Sequence, residues 1–201
     1  MSSESMKRPR TKPPEVRRDE LMDSAQSLFL EKGFTATSVG EIVERADVAK
    51  GTFYLYFATK DDVLGALQTR FVDDFCDRVD AAVTREDGGW SQKLDAWIAA
   101  CVDAYLDKFA LHDLVFHQHQ PANRAMKSAN PVITRLEEML RTGAAKGAWI
   151  IEDFRITAVM LFDAMHGAVD DALTVPAESI DRDVLRSAIT RFCRNALRLG
   201  G

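Results

Sequence analysis

Apolar residues recur every three or four positions from about residue 15 to the end of this chain, and no segment of it alternates strictly. Leu21, Ala25, Leu28 and Phe29 mark one face of a helix spanning roughly residues 15–32. The same period returns in Val63, Leu64, Leu67, Phe71, Phe75 and Val79, and in Leu94, Trp97, Ile98, Cys101, Tyr105 and Phe109. It returns again in Val132, Ile133, Leu136, Met139 and Leu140, and in Val184, Leu185, Ala188, Ile189, Phe192, Ala196 and Leu197. Only 11 glycines and 6 prolines interrupt 201 residues, which excludes an all-β chain built on many tight turns. The pattern predicts an all-α protein of about nine helices.

Helix ends can be read from caps. Gly33 stops the first helix. Ser38 and Glu41 form a capping box that opens a short helix from Val39 to about Arg45. A second short helix, Lys50 to Phe57, carries Phe53 and Phe57 one turn apart. Thr59-Lys60-Asp61-Asp62 caps a long helix that ends before Gly88-Gly89. Ser91 is the expected cap of the next helix. Asn130-Pro131 opens another, whose end Gly143 and Gly147 mark. A helix from about Phe154 to Leu173 closes before Pro176, and Ser179 or Asp181 opens the last. The stretch 112–127, broken by Pro121, shows no clear period. The expected domains are a flexible basic arm over 1–14, a three-helix head over 15–60 and a larger helical body over 61–201.

The net charge of −5 is unevenly spread. Lys7, Arg8, Arg10, Lys12, Arg17 and Arg18 oppose only Glu4 and Glu15 in the first 18 residues, whereas residues 61–201 carry −6. A basic head on an acidic body suits a polyanion binder; a solvated tail has the same composition. The cysteines Cys76, Cys101 and Cys193 are odd in number and lack C-x-x-C spacing, so a reducing compartment is expected, without disulfides or a zinc site. No apolar run approaches the roughly 18 residues of a membrane span, and no apolar run follows Lys7-Arg8. A cytoplasmic chain with no membrane partner is expected. Phosphate-binding glycine loops, G-x-S-x-G and H-E-x-x-H are absent, which argues against an enzyme and against a cofactor. His117 and His119 point apart if helical, and with no clustered carboxylate or thiolate no metal is expected.

Residues 37–60 constrain function most. Two short helices joined by a few residues read as a helix-turn-helix. Ile42 and Ala46 face inward, Val48 tucks the turn and Phe53 with Phe57 anchors the second helix. Lys50, Thr52, Tyr54 and Tyr56 are left on the exposed side, and Gly51 allows close approach. An αα-hairpin with ordinary exposed polar residues has the same periodicity.

The residues themselves resemble the DNA-binding signature of the TetR family of bacterial transcriptional regulators. Thr37, Ile42-Val43, Ala46-Asp47-Val48-Ala49, Gly51, Tyr54-Leu55-Tyr56-Phe57, Lys60 and Val63-Leu64 follow its pattern, and Glu31-Lys32-Gly33-Phe34 is similar to the end of its first helix. Asp47 replaces the turn glycine, and Ala49 replaces a capping hydroxyl. The resemblance implies base reading by Lys50, Gly51, Thr52 and Tyr56, and phosphate contacts from Thr37, Ser38, Tyr54 and Lys60. It implies a repressor that binds a palindromic double-stranded operator as a homodimer and is released by a small-molecule effector. A helical interaction module without DNA binding is the alternative.

The resemblance further implies an effector pocket and a dimer seam in the body. Trp97, Cys101, Tyr105, Phe109, Phe116, Met160, Phe162 and His166 are the expected pocket residues. Such residues at helical spacing also make ordinary core. Ala164, Gly167, Ala168, Ile189 and Phe192 are the expected seam, where small residues permit close helix approach and the last helix is apolar over a broad face.

Overall fold

The computed structural model describes residues 13–117 and 130–198. Lys7, Arg8, Arg10 and Lys12 of the basic arm, together with His119 and Pro121, lie outside the described residues. Nine α-helices and no strand occur among the described residues. They are α1 (Pro14–Lys32), α2 (Val39–Arg45), α3 (Lys50–Tyr56), α4 (Lys60–Arg85), α5 (Trp90–Asp107), α6 (Phe109–Phe116), α7 (Pro131–Ala145), α8 (Phe154–Ala172) and α9 (Arg182–Arg198), with a 3₁₀ turn at Ala177–Ser179 before α9. The chain divides into two compact units, one through Leu67 and one from Gln68, so the first turns of α4 belong with the N-terminal unit.

In the N-terminal unit, α1 begins with Pro14, whose missing N–H is one the first turn does not need. It stops at Gly33, where φ is 87° and the N–H donates to Phe29 O at 2.9 Å. The core is Leu21, Met22, Ala25, Leu28 and Phe29 against Ile42, Val43, Phe53, Phe57, Val63, Leu64 and Leu67, all buried. Each fully buried large side chain among these contributes about 1.5–3 kcal/mol of transfer energy.

The C-terminal unit is organised around α5. Leu94, Trp97, Ile98, Cys101, Val102 and Tyr105 are buried in one cluster with Leu136 and Leu140 of α7, Leu161 and Met165 of α8, and Cys193 of α9. Ion pairs set the register of α5 against α9. Asp95 pairs with Arg194 (Nε–Oδ1 2.8 Å), Asp103 with Arg186 (Nε–Oδ1 3.1 Å) and Asp107 with Arg182 (2.6 Å). Each step up α5 is matched by an equal step down α9, so the two helices run antiparallel. Partly exposed pairs of this kind contribute modest energy, but they discriminate against a slipped register.

Several ends differ from the sequence reading. The cap of α5 is Gly89, and Ser91 lies inside the first turn. At Lys108 the backbone leaves helical geometry (φ −126°, ψ 24°), which separates α5 from α6. Gly143 is within α7, and Trp149 covers it: a Cβ there would stand 2.8 Å from Cε2 of that indole. The indole Nε1–H donates to Leu140 O at 2.7 Å, which fixes the ring in place. Gly147, with φ 77°, supplies the turn beyond the helix. Asp153 caps α8 through Ile156 N at 2.8 Å, and Asp181 caps α9 through Val184 N at 3.0 Å.

Candidate nucleic-acid interface

The geometry begins at the capping box. Ser38 Oγ accepts from Glu41 N at 3.3 Å, and Ser38 N donates to Glu41 Oε2 at 2.9 Å. The Ser38 hydroxyl donates to the same carboxylate at 2.8 Å, and Lys32 from the end of α1 pairs with Glu41 Oε1. The Lys32 ammonium and the Ser38 donors hold the Glu41 carboxyl down to about 2. Both donors expected to meet a phosphate at Ser38 are thus engaged within the protein.

Thr37 and Lys60 depart further from expectation. Thr37 is 2% exposed, and its hydroxyl donates to Gly33 O at 2.9 Å. It ties the loop before α2 to the end of α1 and presents no donor to a phosphate. Lys60 turns inward: Nζ donates to Phe34 O at 2.6 Å and to Thr37 O, and stands 4.4 Å from the Phe34 ring centroid. Carbonyls of the loop after α1 hold the ammonium, so in this structure Thr37 and Lys60 brace that loop rather than stand free for a phosphate.

Helix α3 meets the expectation in shape. Phe53 and Phe57 are buried with ring centroids 5.8 Å apart, and they seat the helix. Lys50, Gly51 and Tyr54 are exposed, and Thr52 and Tyr56 are half-buried beside them. Nothing lies within 4 Å of a Cβ built on Gly51, so a ligand backbone has room to approach. The Tyr54 ring stands edge-on to Phe53 at 5.4 Å and remains exposed. Arg18, from the first turns of α1, lies 5.3 Å from the Phe57 ring centroid, a packing role that the sequence left open.

A family model described as "Bacterial regulatory proteins, tetR family" matches residues 21–67, the compact unit that holds this surface. Over those residues the chain is similar to the TetR family. It is 28% identical over 107 residues to the HTH-type transcriptional repressor ComR of Escherichia coli, 53% of this chain and 51% of that protein. It is 25% identical over 164 residues to the fatty acid metabolism regulator protein of Bacillus subtilis, 77% of this chain and 80% of that protein. Over the first curated relatives the match spans about half of their length or less. Among solved structures, the fatty acid degradation regulator FadR of Bacillus halodurans shares the fold at a TM-score of 0.72, with 23% identity over 94% of this chain and 99% of that one. FadR of Bacillus subtilis, solved with stearoyl-CoA, shares it at 0.71, with 21% identity over 87% and 96%.

Both departures from the TetR pattern have structural counterparts. Asp47 has φ 51°, the left-handed conformation that favours the family's glycine. Ala49 is the N-cap of α3 and makes no side-chain cap bond, so the first turn of the helix keeps its amides unsatisfied by a side chain.

In the C-terminal unit, four of the expected pocket residues converge on a histidine that was not among them. The His112 ring centroid is 4.2 Å from Tyr105, 4.9 Å from Phe116 and 5.3 Å from His166, and Phe162 stands 5.5 Å from His166. Phe71 of α4 joins at 5.8 Å from His112. Trp97 and Cys101 are buried core, and burial raises the Cys101 thiol well above its usual range. Phe109 and Met160 are exposed and do not join the group. The break at Lys108 resets the helical phase before Phe109, and Met160 shares the outer face of α8 with Ile156.

The expected dimer seam divides. Phe192 is 56% exposed, Gly167 is exposed, and Ala164 and Ala168 are half-buried. Ile189 is 5% exposed and packs into its own core, so it is removed from the seam. Exposed Ile156 and Met160 of α8, with Val184 and Phe192 of α9, form apolar faces that periodicity alone did not separate from core.

Proposed function

We propose that this chain is a sequence-specific DNA-binding transcriptional regulator, a repressor that holds a palindromic operator as a homodimer and releases it when a small molecule binds the body. The observation that carries this reading is the outward ridge of α3, where Lys50, Gly51, Thr52, Tyr54 and Tyr56 stand over the buried pair Phe53 and Phe57. A seven-residue helix fits a major groove, and these side chains offer donors to base edges and phosphates. Lys50, Gly51, Thr52 and Tyr56 read bases; Tyr54 grips the backbone; Thr37 and Lys60 brace the head from within.

Homodimerisation through α8 and α9 would bury the exposed Ile156, Met160, Val184 and Phe192 and present two α3 helices to grooves about 34 Å apart. The aromatic group around His112 is the candidate effector site. Acyl-CoA thioesters are the first class to screen, because the structural neighbour from Bacillus subtilis was solved with stearoyl-CoA. The role implies a cytoplasmic location, and no catalytic step is assigned. No helix among the described residues is long and apolar enough to cross a membrane.

Selection of bound sites from random duplexes tests the reading, followed by screening small molecules for release. A two-fold symmetric site whose affinity falls steeply with salt is expected. Lys50→Ala and Tyr56→Ala should weaken binding and relax base preference. Indifference to every duplex at low salt would leave a helical binding module without DNA.

A further inference from the structure

His112 has a buried ring nitrogen that no neighbour satisfies. The residue is 7% exposed, and Nδ1 is buried without a hydrogen-bond partner among the described residues. Its other nitrogen, Nε2, lies 3.4 Å from His166 Nε2. Two facing imidazole nitrogens bond only when one of them carries a proton, and the surrounding network assigns it. His166 Nδ1 stands 3.2 Å from Asp170 Oδ2, and Asp170 also accepts from the Tyr105 hydroxyl. Where Asp170 accepts the His166 Nδ1–H and His166 Nε2 accepts from His112, His112 Nε2 carries the proton. The His112 lone pair is then on Nδ1.

That lone pair faces other electron-pair donors. Asp113 Oδ1 is 3.5 Å away, and one donor atom each from His112, Asp113 and His117 lies within 4.8 Å of the others. The carboxylate beside His112 is the clustered acid that the sequence reading did not find. Asp113 and His117 are one helical turn apart, and α6 ends at Phe116, which frees His117 from the regular path.

We propose that His112 Nδ1, Asp113 and His117 bind a divalent transition-metal ion. Donors about 2.0–2.1 Å from a tetrahedral ion stand about 3.4 Å from one another, close to the Nδ1–Oδ1 separation here. Two imidazoles and a carboxylate select zinc, nickel, copper or cobalt over magnesium or calcium. The chain Tyr105–Asp170–His166–His112 is the outer hydrogen-bonding shell that fixes a ligating imidazole. Asp113 and His117 are at the exposed edge, so the remaining coordination positions open to water or to an anionic ligand.

The test uses the untagged full chain, stripped with a chelator and titrated with Co²⁺ and then Zn²⁺. A single ion per chain is expected, with a Co²⁺ ligand-field spectrum that Zn²⁺ displaces. Asp113→Asn and His117→Ala, both near the surface, should weaken binding about tenfold or more while the helical circular dichroism is unchanged. Asp170→Asn touches no ion and should weaken it by about tenfold through the relay. Absence of stoichiometric binding by the parent, or parental affinity in both ligand variants, overturns the site. The result is independent of DNA binding.

Discussion

The ammonium of Lys60 stands 4.4 Å from the ring centroid of Phe34 and donates a 2.6 Å hydrogen bond to that residue's carbonyl oxygen. A charge expected at the DNA backbone therefore holds the α1–α2 loop, through Phe34 and Thr37, against the start of α4. Lys60→Ala should cost the N-terminal unit roughly 2 kcal/mol, the range for hydrogen bonds to a charged group. Chemical denaturation followed in that unit measures the loss. The slope of operator affinity against salt should stay at the parental value; a fall by about one would return Lys60 to the phosphates.

The turn between α2 and α3 is under-optimised at two positions. Asp47 has φ 51°, where a Cβ is disfavoured, so Asp47→Gly should gain up to about 1 kcal/mol. Ala49 leaves α3 without a side-chain cap, and Ala49→Ser should gain about 1 kcal/mol. The two sites share one turn, so the double variant need not equal the sum. Thermal midpoints of the three variants decide; a loss in Asp47→Gly would mean that the aspartate side chain contributes more than its backbone conformation costs.

Gly143 and Trp149 make the reverse case, in which a glycine is required. The indole lies where a Cβ would be and is held there by its bond to Leu140 O. Gly143→Ala should destabilise the body by about 1–3 kcal/mol, as overpacking does, although alanine is the better helix former. Denaturation midpoints and Trp149 emission report it. An unchanged midpoint would show that the indole yields cheaply.

Helix existence was legible because burial imposes its period on the sequence: α2 and α3 begin at the residues that Ser38 and Phe53 indicated. Side-chain direction was less legible. Lys60 and Thr37 carry polar groups that suit phosphate, and only the folded loop after α1 brings the carbonyls that draw them inward. Ile189 and Phe192 belong to the same apolar stripe, and only packing assigns one to the core and the other to the surface. The His112 group joins α4, α5, α6 and α8, and no local pattern encodes such a meeting. Its sequence trace was the close spacing of His112, Asp113, Phe116 and His117, which a strict helical register obscures.

Acid should act on the head through Glu41. The Lys32 ammonium, first among its causes, holds this carboxyl at about 2 against an ordinary 4.5. A depressed folded value means that the contribution is full above pH 4.5 and is lost as pH falls towards about 2. Glu41→Gln should flatten that part of the stability profile of the N-terminal unit. Because the pair is exposed, added salt should shrink the difference between parent and variant. Identical acid profiles at low salt would remove Glu41 from the account.

Phe192 and Ile189 are one turn apart on α9 and should respond oppositely to the same charge. Phe192 is 56% exposed, so Phe192→Asp leaves the fold intact and, if the α8–α9 face is the seam, yields a folded monomer in sedimentation. Ile189 is 5% exposed in the body's core, and an aspartate there would strand an unpaired carboxylate, so Ile189→Asp should lose the cooperative fold. A dimer that survives Phe192→Asp at micromolar concentration places the seam on another face. A folded Ile189→Asp chain would mean that α9 does not pack as described.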